Sequence, residues 1–516
     1  MGKSAFHYRE LTPTDVPGGV MLSCVALDAS DTLESLAFFK TGLGKDDVKS
    51  GTNTKILDRR SVGNGLILKL SHSEDAPVIL VDGAEHSLPV QPQELDVFAT
   101  LNVMLAVRNG ETVQSTLDWL AYHAQAHNLQ GAVILDRAKP GTNAAYLAEL
   151  EAGVASIKGL KQVMVLRVDA PLGAPDLPAE AHPYNAPDAP GKDRMDIPDP
   201  SPWDSPLAEL QLIEMSRYRW LNTARAVALL DISDLVTQTK GKATKGRTIF
   251  DMAVKSSSGV VTLVGQHCYP WRVRNDDEVS HGDHICVQFD ATKMRRRWVV
   301  APQKTGPNVV WRLIRVVAAR PEPDEWVKFY RCMGLRHPTD SAGQIVPKTS
   351  LIEEADLIKL AKKKFDHKPI RMPEISAPKV NPADNDVAII TCMKNEGPFI
   401  LEWLAYHRAI GVKKVLVYTN DCNDGTDTFL DLLQEKGYVQ HRDNPCKGTN
   451  LKPQHAALQA GEKEEIIQKA DWVISMDVDE FINVKVGDGT LPALFEAVGD
   501  ANLISCTWRL FGNSDV

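Results

Sequence analysis

Between positions 386 and 480 the sequence alternates short apolar runs with segments of helical periodicity, and this alternation limits the fold more than any other feature of the chain. The apolar run 386–392 precedes a segment, 399–410, whose apolar residues recur at helical spacing. Further apolar runs span 414–418 and 472–476. Strands that alternate with helices form parallel sheets covered on both faces. The pattern therefore predicts an α/β, doubly wound nucleotide-binding fold.

Polar motifs follow these apolar runs, at the sheet edge where functional side chains collect in such folds. Lys394-Asn395-Glu396 follows the first run, Asn423-Asp424-Gly425-Thr426 the second, and Asp477-Val478-Asp479-Glu480 the last. Mg²⁺ and Mn²⁺ favour carboxylate ligands and neutralise the diphosphate of a nucleotide leaving group. Asp477 and Asp479 are therefore candidate metal ligands. From the residues alone, a solvated acidic turn, an ordinary Asn-Asp-Gly turn and a helix cap at Thr426 are the alternatives.

Together with Glu402–His407 (EWLAYH), these motifs resemble the GT-A glycosyltransferases of family 2, in the branch with the signature KNE, EWLAYH, NDGT and DxDEF. The resemblance covers about residues 386–516. It implies a nucleotide-sugar-dependent transferase with Mn²⁺ or Mg²⁺ bound by Asp477 and Asp479. The residues that it implies for nucleotide-sugar binding are Asn395, Glu396, Asp421, Asp424, Lys452 and Asp477. The motifs do not identify a general base.

Parts of the same pattern occur earlier in the chain. Trp119–His123 is identical to Trp403–His407, and Gly141-Thr142 matches Gly425-Thr426 at the same separation. Allowing for two extra residues before the tryptophan, Arg108-Asn109-Gly110-Glu111 falls on Lys394-Asn395-Glu396-Gly397. At another separation, Ala226–Asp234 resembles Trp472–Glu480. We predict two tandem GT-A-like (Rossmann-like) copies of one fold.

The first copy differs from the second at the candidate site. Asp231 aligns with Asp477, but Ser233 takes the place of Asp479, and a hydroxyl is a poor ligand for a hard dication. Lys139-Pro140 replaces Asn423-Asp424. Asp234 offers an alternative carboxylate from the next position. We expect a degenerate copy that serves as a scaffold, a partner surface or a polysaccharide-binding module.

Composition predicts four regions along the 516 residues. They are a small β-rich region at 1–95, the degenerate domain at 96–350, a linker at 351–385 and the second GT-A domain at 386–516. A proline-rich stretch at 171–206 predicts a poorly ordered insertion.

The chain ends soon after the acidic cluster, which predicts a truncated second domain without its acceptor half. In that case Leu503–Trp508 should form a strand with some of its neighbours absent. Leu510 and Phe511 should then lie near an open surface.

Charge and cysteine usage exclude several classes of protein. The net charge of −9 argues against nucleic-acid binding, and the eight scattered cysteines predict neither a zinc site nor a disulfide framework. No apolar run is long enough to span a bilayer, and the first residues lack a secretory pattern. We therefore expect a cytoplasmic protein without a transmembrane segment, with peripheral membrane association left open.

The expected activity is transfer of a sugar from a UDP-, GDP- or dTDP-linked donor to a saccharide or glycoconjugate acceptor, as in the synthesis of bacterial surface polysaccharides. Two alternatives stay open: a nucleotidyltransferase and a non-catalytic carbohydrate-binding or assembly protein. A nucleotidyltransferase should carry a glycine-rich basic loop after the first strand, whereas Lys394–Pro398 offers one glycine and one lysine.

Overall fold

The computed structural model describes residues 5–27, 33–238, 246–274, 278–291, 295–373 and 385–511. The chain divides into two compact units, Met1–Pro373 and Glu374–Val516. No helix in the described ranges is both long enough and apolar enough to cross a bilayer.

The first unit combines helices with several sheets. Its strands are β1 (Ala5–Leu11), β2 (Thr14–Val16), β3 (Gly19–Leu27), β4 (Leu33–Phe39), β5 (Val48–Ser50), β6 (Thr54–Val62), β7 (Gly65–His72), β8 (Val78–Val81), β9 (Ala84–Ser87), β10 (Val90–Gln91), β11 (Asn102–Arg108), β12 (Gly131–Asp136), β13 (Gln162–Val168), β14 (Ala226–Leu229), β15 (Asp234–Val236), β16 (Val260–Pro270), β17 (His284–Gln288), β18 (Arg295–Val300), β19 (Val310–Trp311), β20 (Val316–Val317), β21 (Trp326–Cys332) and β22 (Leu351–Glu353). Its helices are α1 (Val113–His127), α2 (Ala144–Val154), α3 (Leu212–Ser216), α4 (Ile249–Lys255), α5 (Pro302–Thr305), α6 (Met333–Arg336) and α7 (Ala355–Lys364).

The main sheet of the first unit has β13, β12, β11 and β14 as parallel neighbours in that order. These four strands are buried almost throughout, as expected for parallel strands covered on both faces. Helices α1, α2 and α4 contribute Trp119, Tyr146 and Phe250 to the core on one face. The other face packs against Leu22 and Phe38 of the amino-terminal strands.

Two predicted boundaries of the first unit differ from the structure. The region 1–95 is β-rich, but β1 pairs in parallel with β13 and the region shares a core with the main sheet, so it is not a separate appendage. The predicted linker begins too early, because β22 pairs with β17 and α7 packs against that strand. The later part of the predicted linker, including Pro378 and Pro382, lies outside the described residues.

The proline-rich insertion 171–206 is ordered, contrary to expectation. Its two ends are joined by backbone hydrogen bonds, in which Gly173 N donates to Pro202 O (2.9 Å) and Glu180 N donates to Asp204 O (2.7 Å). Ala186 and Ala189 are buried in a small core. Prolines reduce the conformational entropy that such a loop loses on folding, so a proline-rich composition does not by itself imply disorder.

The second unit contains one four-stranded sheet. Its strands are β23 (Val387–Met393), β24 (Lys414–Thr419), β25 (Gln440–Asp443) and β26 (Trp472–Ser475), and its helices are α8 (Ile400–Ala409), α9 (Thr426–Glu435), α10 (Pro453–Gly461), α11 (Glu465–Gln468) and α12 (Leu491–Val498). All pairings are parallel, in the order β25-β24-β23-β26. This is the order and direction of β13-β12-β11-β14 in the first unit. The mixed α/β class predicted from the sequence is confirmed.

The predicted last strand is not present. Residues 500–511 form neither helix nor strand, so the prediction for Leu503–Trp508 was wrong. A strand forms only where a neighbour accepts its backbone hydrogen bonds, and apolar composition cannot supply that neighbour. Leu510 and Phe511 are 89% and 87% exposed, as expected.

Candidate functional site

The carboxyl-terminal edge of the second sheet carries the predicted polar residues. Asn395 and Glu396 follow β23, Asp421 and Asp424 follow β24, and the acidic turn follows β26. Lys452 is exposed and lies outside α10, immediately before its first residue. Because β23, β24 and β26 are parallel, their loops emerge at one edge of the sheet.

Alternating burial orients the acidic turn. Met476 and Val478 are buried in the core, so Asp477 and Asp479 point outward and are exposed. The turn is closed by its own residues, since Asp477 N donates to Glu480 Oε2 (2.9 Å) and Glu480 N donates to Asp477 O (3.2 Å). Among residues 385–511 no ion pair involves the side chain of Asp477 or Asp479.

Three carboxylates at this edge lie close enough to Glu396 for their charge to act on it. The pKa of Glu396 is raised, first by partial burial and then by the negative charges of Asp479, Asp424 and Asp477. Repulsion of this kind marks a region that a cation would stabilise. Within the described residues, however, no cluster of three or more His, Cys, Asp or Glu side chains could hold a metal unaided.

Asp421 has a partner of its own. Its carboxylate lies 2.7 Å from Lys447 Nζ, and this ammonium group lowers the pKa of Asp421. Both side chains are largely exposed, so the pair contributes little to stability.

Thr426 joins the first two loops of the site. Its buried Oγ1 accepts hydrogen bonds from Glu396 N (2.9 Å) and Gly397 N (2.8 Å). The sequence predicted Thr426 as a helix cap, but α9 begins at this residue and its cap position is Gly425, with φ 86°. Asp424 Oδ1 accepts from Thr426 N (2.9 Å), and hydrogen bonding to Thr426 lowers the pKa of Asp424.

We expect Thr426→Val to destabilise the second unit by about 2 kcal/mol, because two backbone N–H groups lose their acceptor while the side-chain shape is kept. Urea unfolding measures the loss, and hydrogen–deuterium exchange should quicken in peptides covering 394–399. Thr428→Val, at an exposed position of the same helix, is the matched control. Equal stability of the two variants would show that Thr426 does not hold the loops together.

Helix α8 fixes the position of the segment after the acidic turn. Tyr406 OH donates to Ile482 O (2.9 Å), and His407 Nε2 accepts from Ile482 N (3.5 Å). His407 Nδ1 donates to Trp403 O (2.8 Å), and burial lowers the pKa of this histidine, so the neutral ring fits both contacts. The shared pentapeptide signalled this helix, but its contact with Ile482 was not predicted.

The first unit has the same arrangement of helix and turn. Tyr122 OH donates to Val236 O (2.7 Å), and His123 Nε2 accepts from Val236 N (3.2 Å). Asp231 N donates to Asp234 Oδ2 (3.0 Å), as Asp477 N does to Glu480. In this hydrogen bond Asp231 takes the position that Asp477 takes in the second unit.

The loop after the first strand aligns differently from the sequence-based prediction. Asn102 pairs with Ala226 in the first unit, as Val387 pairs with Trp472 in the second. If Asn102 is aligned with Val387 on this basis, Glu111 aligns with Glu396. The sequence-based alignment placed Glu111 on Gly397, so it was displaced by one residue. Burial raises the pKa of Glu111 to about 7.

The two units differ in what surrounds the aligned carboxylates. Arg331 Nη2 lies 2.7 Å from Asp231 Oδ2, and Arg331 Nε lies 2.8 Å from Asp234 Oδ1. Arg297 and Arg336 also donate to Asp231, at 3.1 and 2.9 Å. Burial raises the pKa of Asp231, but Arg331 and then the other two guanidinium groups lower it well below its usual range. The buried hydroxyl of Ser233 has no hydrogen-bond partner among the described residues.

The comparisons with known proteins concern the second unit. Residues 388–512 match the model of glycosyltransferase family 92. A glycosyltransferase family 92 protein of Arabidopsis thaliana is 32% identical over 99 residues, which is 19% of this chain and 16% of that protein. A Ricinus communis protein of the same description is 30% identical over 105 residues, or 20% and 18% of the two chains. One from Oryza sativa subsp. japonica is 27% identical over 122 residues, or 22% and 20%.

The matched region is a fifth or less of each of these plant proteins. The motifs suggested family 2, whereas the matching model is that of family 92, so the comparisons support the class of enzyme and not that particular family. Residues 388–512 of this chain are thus similar to glycosyltransferases of family 92.

Proposed function

We propose that the second unit is the donor-binding part of a metal-dependent glycosyltransferase with a GT-A-like fold. The observation that carries this proposal is the pair of exposed carboxylates, Asp477 and Asp479, at the carboxyl end of β26, without an ion pair in the described residues. The pair lies inside the region similar to family 92. The parallel sheet with its polar loops at one edge supports the same proposal.

Two carboxylates are a sufficient protein contribution to such a site. Mg²⁺ is commonly bound by one or two carboxylates, with water and substrate phosphates completing its shell. Asp477 and Asp479 would hold Mn²⁺ or Mg²⁺, which neutralises the charge of a departing nucleoside diphosphate. The negative charge shared with Glu396 and Asp424 favours a cation here.

The other residues of the edge would orient the donor. Asn395, with φ 59°, accepts a hydrogen bond from Asn423 N through Oδ1 (2.8 Å) and so joins the loops that would flank the nucleotide. Lys452 adds a positive charge before α10. The proposed donor is a UDP-, GDP- or dTDP-sugar and the proposed acceptor a saccharide or glycoconjugate.

We further propose that the first unit is a second, degenerate copy of the same fold. The shared strand order, the equivalent Tyr–His contacts and the equivalent acidic turn support this proposal. Its arginine-bound carboxylates do not fit a divalent cation, because the guanidinium groups already compensate their charge.

Replacing either carboxylate tests the proposed function. We expect Asp477→Asn and Asp479→Asn each to abolish stabilisation of the protein by Mn²⁺ together with UDP-, GDP- or dTDP-sugars. A ligand at 100 times its Kd stabilises a protein by about 2.7 kcal/mol, which is a shift of several degrees for a unit of this size. The measurement is the melting temperature, with and without EDTA.

Asp500→Asn, at an exposed position of the same unit, is the matched control and should keep the shift. An unchanged metal-dependent shift in both site variants would refute the assignment. A shift that is independent of metal would favour the non-catalytic binding alternative.

A further inference from the structure

The insertion 171–206 places a carboxylate between two arginines of the first unit. Glu180 is 5% exposed, and its Oε1 accepts a hydrogen bond from Arg336 Nη2. Its Oε2 lies 3.7 Å from Arg137 Nη1 and has no hydrogen-bond partner among the described residues. Two guanidinium groups therefore converge on one carboxylate that comes from a loop.

Both arginines are held rigidly by other groups. Arg137 donates through Nη1 to Asn109 Oδ1 (2.8 Å) and through Nη2 to the carbonyl oxygens of Trp203 (3.2 Å) and Ser205. Arg336 donates through Nη1 to Asp231 (2.9 Å). Fixed guanidinium groups recognise the paired oxygens of carboxylates and phosphates well, because little side-chain entropy is lost on binding.

A cleft of about 210 Å³ opens beside Arg137, at the carboxyl ends of β11 and β12. Its walls include Arg108, Asn109, Arg137, Lys139, Trp203 and Asp204. Trp203 and Asp204 belong to the insertion, and Lys139 Nζ lies 3.2 Å from Asp204 Oδ2. The loop that brings Glu180 to the arginines thus also forms one side of the cleft, and Arg137 is shared by both.

We propose that Arg137 and Arg336 form a metal-independent site for an oxyanion, which Glu180 occupies in this structure. A ligand carrying a carboxylate or phosphate group would enter through the cleft and displace Glu180. No cation is required, because the positive charge is supplied by the arginines themselves. This site consists of residues of the first unit alone.

Glu180→Gln tests the proposal, because it keeps the shape of the side chain and removes the competing charge. Isothermal titration in EDTA with inorganic pyrophosphate, and separately with glucuronate, measures binding to the full chain. We expect the variant to bind at least one probe with a Kd at least tenfold lower than that of the unsubstituted protein. Pyrophosphate binding would indicate a phosphate-bearing ligand, and glucuronate binding a carboxylated saccharide.

Glu209→Gln is the matched control. Glu209 is as buried as Glu180, but its Oε2 accepts from Thr41 N (3.1 Å) and Gln211 Nε2 (2.7 Å) rather than from arginine. No binding to Glu180→Gln, affinities equal to those of the control, or a requirement for Mn²⁺ would each overturn the proposal.

A second variant covers the case in which Glu180→Gln fails to fold. Lys139 is half exposed at the cleft, so Lys139→Gln should fold normally. The unsubstituted protein should bind pyrophosphate or glucuronate at high concentration. Lys139→Gln should weaken that binding severalfold. Unchanged affinity, or no uptake of either probe by the unsubstituted protein, would contradict the location of the site.

Discussion

Lowering the pH from 7.5 to 5 should destabilise the first unit by several kcal/mol, because it buries histidines in their neutral form. Burial lowers the pKa of His127 and His281 to about 4, and that of His267 and His337 to about 3, from an ordinary value of 6.5. The unfolded chain takes up these protons below pH 6.5, whereas the folded unit does not. The contribution of these neutral histidines to the stability of the folded unit is therefore present above pH 6.5, and it is lost as the pH falls towards 4.

The expected size is large compared with the stability of a domain. At pH 5 each of these four groups reduces the free energy of unfolding by about 2 kcal/mol, so the sum is on the order of 8 kcal/mol. Whole domains are stable by about 5–15 kcal/mol. His284 and Glu111 oppose the trend, since the pKa of each is raised and each gains a proton more readily in the folded unit, so the net loss is smaller than this sum.

Urea unfolding at pH 7.5 and pH 5.0, followed by tryptophan fluorescence, measures this effect. His127→Gln should remove about 2 kcal/mol of the pH-dependent loss, because one buried imidazole is gone. His455→Gln, at an exposed position of the second unit, should leave the loss unchanged. Identical urea midpoints at the two pH values would show that the buried histidines do not control acid stability.

We expect Arg331→Met to cost about 3–5 kcal/mol of stability, because it leaves two buried carboxylates without their shared cation. Asp231 and Asp234 are 5% and 0% exposed, and Arg331 binds both. Urea unfolding at pH 7.5 measures the loss. Asp234→Asn in the same protein should restore part of it, since one uncompensated charge is then removed.

Arg225→Met is the matched control. Arg225 pairs with Asp251 at 2.6 Å, but about a third of each side chain is exposed, so its loss should cost at most about 1 kcal/mol. Equal costs for Arg331→Met and Arg225→Met would mean that the buried carboxylates are stabilised by groups other than Arg331.

The sequence predicts three strands of the second sheet and the position of the acidic turn after the last of them, because both depend on local patterns. Apolar runs marked β23, β24 and β26, and Asp477 and Asp479 were expected directly after the last of these strands. The pentapeptide likewise marked equivalent helices. These features follow from burial and periodicity, which can be recognised from residues that are adjacent in the sequence.

Other features depend on partners that are distant in sequence and were missed for that reason. The local sequence predicted Thr426 as a helix cap, whereas its hydroxyl accepts hydrogen bonds from the distant residues Glu396 and Gly397. The composition of the insertion predicted disorder, whereas its Glu180 pairs with arginines, one of which is Arg336, distant in sequence. Composition carries no information about such pairings.

The contact that α8 makes with Ile482, and α1 with Val236, has a consequence for how such a fold can change. Both helices hold the backbone N–H and C=O of the second residue after the acidic turn, and neither contact depends on the identity of that residue's side chain. Substitutions within the turn can therefore change its charge and its ligands while the conformation of its backbone is kept. The same contact between helix and backbone accompanies two exposed carboxylates in the second unit and a pair of arginine-bound carboxylates in the first.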